Sequence, residues 1–535
     1  MLEGAYDLVF HSSFSSVLQK LRESLTLVVL ALLPFHALLV TAGTRLLQGP
    51  GHAPMAALAL WKEGVLGVIL VLAVLEFVVQ WIRRRRVVCH PSTELGMTRP
   101  HLLDWLIVSL IVLGIVVSVF NGVPRGEFLL GAKYDLVPLV AFLILRRVEW
   151  SAWFRALLLK TVIAVGSVVA LLGVASLFLP IRFFTFLGYA DLHSLYDPAG
   201  PLAPFHQIGE SWVRRVQSTM SGPNQLGVWL LLPLGVCLVS VLSDARILGI
   251  QGNQRNRGNV GNLSLRFLRM HRFLWFLLIA IALLLTFSRA AWIGAFVMAV
   301  VTLARILPKR IFKKAFVGIL GTLGILGVTV TLLFPSVFFR LSSSRGHLTR
   351  PLQAMGVMVR HPLGQGLGSA GPATNRNREP CVFLRPQDDP SWAKSQPQLC
   401  VFLGATQVQP SDHACNCPFL PENWYLQIGV ELGVLGFALF IALAFIILQS
   451  LGAFSFQLSA ARNAVLTAGR PFGPAGLSSI PSLGAEGRAS NGLPLTALFF
   501  FLGVSIAALF LHAWEDAAVA YSGWVLAAVA LRKPQ

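Results

Sequence analysis

Long apolar runs recur along the whole of this chain. Each has about the length a helix needs to cross a bilayer, roughly 20 residues against about 30 Å of hydrocarbon. They lie near 25–42, 64–81, 103–120, 127–145, 157–179, 224–243, 272–288, 290–307, 315–334, 425–449, 494–513 and 515–531. In lipid such a run satisfies its backbone hydrogen bonds only as a helix, and the alternation of a transmembrane barrel strand is absent. With 55% hydrophobic and 12% charged residues over 535 positions, there is more apolar surface than one soluble core can hide. The expectation is an all-α polytopic integral membrane protein, a single membrane domain over 1–535 with about twelve spans.

A formal net charge of +20 raises the question of nucleic acid, but the placement of the basic residues answers it differently. Arg83 to Arg86 follow the second span, Arg146 and Arg147 the fourth, Arg246 to Arg272 the sixth, and Arg305 to Lys314 the eighth. These are alternate loops, as expected when the basic loops and both termini face the cytoplasm. Basicity here reports topology, with anionic lipid on the inner face as a secondary contact; no nucleic-acid patch with interleaved aromatic residues is present. The first apolar run reads as a retained signal anchor, preceded by an amphipathic stretch, Phe10 to Leu21, lying on the membrane surface.

This orientation puts one large loop, 335–424, on the outer face before the tenth span. It holds Cys381, Cys400, Cys415 and Cys417 in an oxidising compartment, where disulfides are expected. A bridge between Cys415 and Cys417 would be strained, so Cys381 and Cys400 should each pair with one of them. His413 beside these cysteines gives a weaker zinc reading. Cys89 and Cys237 read as inert thiols. Two inner loops, 245–271 and 451–493, are rich in Gly, Asn, Ser and Pro and read as flexible linkers, which places the sequon at Asn262 on the wrong side for glycosylation. Gly366 to Gly371 matches the dinucleotide fingerprint by letter but follows no strand in a βαβ unit, and there is no phosphate-binding P-loop.

Four polar clusters fall at the outer edge, where a charge is costly and ordinarily faces a cavity or a partner. Arg214-Arg215 precedes Pro223-Asn224-Gln225-Leu226-Gly227, which also has the makings of a plain helix start. Ser288-Arg289 sits between two spans with almost no loop, placed either to snorkel or to clamp a diphosphate through paired donors. Arg360-His361-Pro362-Leu363-Gly364 forms a turn-rich stretch in the loop. Glu422-Asn423-Trp424-Tyr425 leads the loop back into the membrane, with Glu422 suited to a helix N-terminus or to proton transfer. His512, Glu515 and Asp516 make a last polar group at the same edge, either holding an acceptor or anchoring two span ends.

In their order and common placement the four clusters resemble the O-antigen ligase and polymerase superfamily of bacterial envelope glycosyltransferases. The resemblance covers 205–450 by motif and the whole chain by span count. It implies metal-independent transfer of a glycan from an undecaprenyl-diphosphate carrier to a glycan or lipid acceptor, on the outer face of the bacterial cytoplasmic membrane, with no cofactor. By position Arg215 and Arg289 match the family's diphosphate-binding arginines, with Arg214 as alternate for the first; Asn224, Arg360, His361, Asn423 and Tyr425 fall in its substrate-binding motifs. Ligases of the family carry His before the Asn at the start of the returning helix, where this chain has Glu422, a carboxylate able to take the same proton. His361 is a second candidate base. A transporter of lipid-linked glycans is the non-enzymatic alternative, and the chain shows no paired half-helix repeat of the kind that would favour it. The half-loop 376–420 reads as an insertion.

Overall fold

A computed structural model describes residues 2–87, 102–190, 201–208, 213–251, 262–333, 341–384, 386–467 and 485–532. Cys89 and the centres of both inner loops lie outside them. The chain is mostly helical: α1 Leu2–Leu32, α2 His36–Gln48, α3 Ala56–Ala59, α4 Trp61–Val87, α5 Leu102–Phe120, α6 Arg125–Asp135, α7 Val137–Leu145, α8 Ala152–Ser176 and α9 Ile181–Phe186. After a two-residue hairpin of β1 (His206–Gln207) and β2 (Arg214–Arg215) come α10 Pro223–Gln251, α11 Asn262–Leu285, α12 Arg289–Ile306 and α13 Lys309–Leu333. The remaining helices are α14 Leu341–Arg360, α15 Thr374–Asn377, α16 Trp424–Thr467, α17 Ala485–Ala507 and α18 Ala517–Leu531.

Seven of these segments are long and apolar enough to cross a membrane, or up to eight if α6 and α7, bent by 43°, make one span. Three shorter apolar helices, Phe273–Leu285, Gly492–Ala507 and Ala517–Leu531, complete the bundle with α13. The chain is thus a polytopic membrane protein in its helical architecture. Its centre is built by α10, α17 and α18, which pack on one another and on α8, α12 and α7. α18 is buried from Ala518 to Ala530, its alanines and single Gly523 letting neighbouring backbones approach closely.

The sequence pattern missed several breaks. The expected span 127–145 divides at Leu136 because Pro138, in the first turn of α7, has no N–H to continue the ladder. The first span bends through a 3-10 turn at Leu33–Phe35, again at a proline, Pro34. Phe10 to Leu21 is not a separate surface helix; it runs without interruption into the first span as part of α1. The inner loops read as linkers are helical at their edges, with α10 extending to Gln251, α11 beginning at Asn262, α16 reaching Thr467 and α17 starting at Ala485. Charges inside apolar segments find partners: Arg22 Nε donates to Glu76 at 2.8 Å, and Arg146 pairs with Asp104.

The segment 376–420 is not all helix. It holds a three-stranded sheet in which β3 (Cys381–Leu384) and β4 (Cys400–Leu403) pair in parallel, and β4 pairs antiparallel with β5 (Thr406–Gln409). The two parallel strands have the same sequence, Cys-Val-Phe-Leu, in exact register residue for residue, so Phe383 stacks on Phe402 with ring centroids 5.0 Å apart. Cys381 is bonded to Cys417 and Cys400 to Cys415.

Between α14 and this sheet the glycine-rich segment 362–371 wedges against α16. Gly364, Gly366, Gly368 and Gly371 all have positive φ, and α16 itself breaks at Gly433, φ 72°. The backbone N–H groups of Gln365 and Gly366 donate to the carbonyls of Val430 and Glu431, those of Gly368 and Ala370 donate to the Glu431 carboxylate, and Val434 N–H donates to the Pro362 carbonyl. The nucleotide fingerprint is therefore a packing device.

Gly368→Ala places a side chain at φ +83° against the Glu127 carbonyl, and we expect it to destabilise the protein by about 2 kcal/mol or more. Gly67→Ala, which meets open space on α4, should change little. Thermal unfolding in detergent compares the two; equal midpoints would refute the wedge.

Candidate functional site

A cavity of about 400 Å³ opens at the end of the bundle where α2, α4, α6, α10 and α18 converge with the 508–516 turn. Its volume falls within the range of small-ligand sites. Asn224 and Gln225 at the start of α10, Glu422 before α16, and His512, Glu515 and Asp516 line it. Lys62, Lys133 and Arg376 line it too.

Asn224 owes its orientation to Arg215. From the β2 hairpin, Arg215 Nη2 donates to Asn224 Oδ1 at 2.7 Å and Nε donates to the Thr286 carbonyl at 2.9 Å. The guanidinium thus ties the α10 start to the α11–α12 turn, where Arg289 opens α12 as an exposed residue. Arg214 points elsewhere, stacking over the Phe205 ring at 4.2 Å.

Glu422 is held from three sides. Its carboxylate pairs with Arg350 and with His347 Nδ1 at 3.1 Å, and its backbone N–H donates to His512 Nε2 at 3.1 Å. Burial pushes the carboxyl up, but the His347 hydrogen bond and the His347 and Arg350 charges outweigh it and hold Glu422 below the usual carboxylate range. His512 lies between the ends of α17 and α18, partly buried at the cavity wall, and burial lowers its pKa to about 4. It is therefore neutral, with Nδ1 hydrogen-bonded to Gln427 Oε1, which fixes the second nitrogen as an acceptor. Gln427 Nε2 donates onward to Glu515 Oε1 at 2.5 Å.

Among the described residues, three non-glycine positions have positive φ: Ser218, Phe287 and Glu422. Each falls in a different one of the four polar clusters. Such strain persists only where the surroundings over-determine it, and it concentrates at functional sites.

The remaining expected residues are placed differently. Asn423 caps α16, accepting from Leu426 N–H and donating to the Leu509 carbonyl. The buried Tyr425 hydroxyl donates to the Ser505 carbonyl. Both side chains are thus spent on the fold. Arg360 and His361 are exposed at the end of α14, beside the Gly433 break, about 14 Å along α16 from the cavity. The zinc reading falls because the sulfurs of Cys400 and Cys415 are joined, and His413 instead meets Glu379 and Asp412.

Sequence reasoning overlooked Lys62, Lys133, Arg350, His347 and Arg376. Lys133 carried a usable signal, a lysine inside the run 127–145. The others fall at run edges or in the loop. No protein-family model matches the chain, and no curated protein matches it.

The two shifted groups predict separate acid windows. His512, depressed in the fold, leaves the unfolded chain holding the extra proton, so stability falls with pH from about 6.5 to about 4. Glu422 is also depressed; its contribution is full above about 4.5 and is lost as pH drops through the lower folded value. His512→Gln should flatten the fall in unfolding temperature between pH 7 and 5, and Glu422→Gln the fall below 4.5. Slopes that match wild type in both variants would contradict these assignments.

Proposed function

We propose that this protein transfers a glycan from an undecaprenyl-diphosphate carrier to a glycan or lipid acceptor, at the outer face of a bacterial cytoplasmic membrane, as an O-antigen ligase or polymerase does. The observation that carries the reading is the cavity with Asn224 and Glu422, from two of the motif clusters, on its walls. Twelve spans, cytoplasmic termini and the outer placement of 335–424 belong to the same proposal.

In this reading the acceptor hydroxyl attacks the anomeric carbon, the bond from that carbon to the diphosphate oxygen breaks, and the hydroxyl proton passes to Glu422. Arg350 and His347 keep that carboxylate ionised and oriented at neutral pH. The same contacts make it a weak base, which suits a reaction in which departure of the leaving group leads and proton transfer follows. Charge developing on the diphosphate is met by Arg289, while Arg215 ties Asn224, on the cavity wall, to the α11–α12 turn that carries Arg289. Fixed cations of this kind need no reorganisation as charge develops.

Arg289→Ala should lower transfer by about a hundredfold or more with insertion and abundance unchanged. The assay is formation of a new glycosidic bond by purified protein given lipid-linked donor and acceptor. Full activity in the variant would sink the role of Arg289. A wild-type protein that binds the donor without forming a bond would make it a transporter.

A further inference from the structure

One wall of the cavity is basic and is built by residues outside the stretch 205–450 that carries most of the motifs, together with one from the outer loop. Lys62, in the first turn of α4, is 5% exposed; its Nζ lies 2.8 Å from His36 Nε2, donates to the Ala59 carbonyl at 2.9 Å and sits 3.4 Å from Glu63 Oε1. Lys133 of α6 takes the same Glu63 oxygen at 2.9 Å. A single carboxylate is thus shared by two ammonium groups. Arg376 of α15 adds a third cation facing the same space, and its guanidinium has no ion-pair partner among the described residues.

The other carboxylates at the cavity do not cancel this excess. Glu422 is matched by Arg350 and His347. Asp516 Oδ1 accepts the N–H groups of Ala518 and Val519 and so caps α18. Glu515 accepts from Gln427, and burial raises it well above the usual carboxylate range, which favours the neutral acid and keeps it out of the charge balance. Three cations against one shared carboxylate and one cap leave the wall positive. Beside a buried lysine such as Lys62 that excess of positive charge calls for an anionic ligand.

We propose that Lys62, Lys133 and Arg376 form a phosphate-binding wall that takes the phosphate groups of the cavity's ligand. The proposal rests on the reading above only in making that ligand a lipid diphosphate. Arg215, whose guanidinium is committed to Asn224 and to two backbone carbonyls, then acts as a positioning residue rather than as the contact.

The test is calorimetric binding to the full chain in nanodiscs, with farnesyl diphosphate, farnesol and inorganic diphosphate as probes. Lys133→Gln and Arg376→Ala should each weaken farnesyl diphosphate by about tenfold and leave farnesol unchanged, with Arg376→Lys recovering most of the loss. Arg376 is exposed, so its variant stays informative if Lys133→Gln does not fold. Competition by inorganic diphosphate would show that phosphate alone is recognised, and a lack of competition that the prenyl chain is also read; both support a cation-dependent site. Unchanged farnesyl diphosphate affinity in the variants, or wild-type protein binding farnesol as tightly, overturns the proposal. Because no readout involves transfer, failure of the glycosyltransferase reading leaves the result intact.

Discussion

Backbone amides and carbonyls that leave a helix at membrane depth must find partners inside the protein, because hydrocarbon offers none. In this chain two irregular segments meet that demand for each other. The break of α16 at Gly433 frees the carbonyls of Val430 and Glu431 and the N–H of Val434. The glycine-rich segment 362–371 supplies the N–H groups and the carbonyl that they need, and adds two more N–H groups to the Glu431 carboxylate. Neither irregularity would be stable without the other. The glycines are required by contact as well as by φ: a Cβ on Gly433 would enter the Pro362 carbonyl, and one on Gly364 the backbone of Glu431.

This wedge aims the first nine residues of α16. They run from the break to the cavity, where Asn423 closes the helix start and Trp424 N–H donates to the Ala508 carbonyl of the last turn region. Gln427, one turn in, then reaches both His512 and Glu515. A hydrogen-bonded line therefore joins the bundle interior to Glu422. Disturbing the wedge would move the carboxylate that the cavity presents, although His361 and Gly364 never touch it. The turn-rich cluster earns its place in the sequence by supporting the site from a distance.

How much of this was readable beforehand depends on the kind of information involved. The apolar runs announced where helices lie, since their length is set by the bilayer. Their bends were written in Pro34 and Pro138, whose effect is local and visible. The polarity of the clusters around Arg215, Arg289 and Glu422 was legible, and the structure brings Asn224 and Glu422 to one cavity. Which partners would meet them was not. Arg350 reaches Glu422 across 72 positions of sequence, and Asn423 and Tyr425, chemically suited to a ligand, are absorbed by caps and carbonyls that only the fold reveals. The small sheet was hidden in another way: four identical letters, Cys-Val-Phe-Leu, repeat at 381 and 400, a pattern too short to notice without knowing that the two copies pair.

Charge counting directs attention to the wrong sign. An excess of 43 basic over 23 acidic residues arises largely from loop arginines and lysines, so one more cation near a span carries little information. The acids are scarcer, and those near the cavity are each committed to a distinct task. Glu63 is divided between two lysines, Glu422 is clamped by Arg350, Glu431 holds the glycine wedge, and Asp516 caps α18. Asp135 faces Glu431 from α6, adding a fifth carboxylate to the same arrangement. A cation left over after the acids have been assigned is therefore more informative than a cation counted on its own. By that criterion Arg376, together with the two lysines that share one carboxylate, marks where the cavity has charge to spare for a ligand.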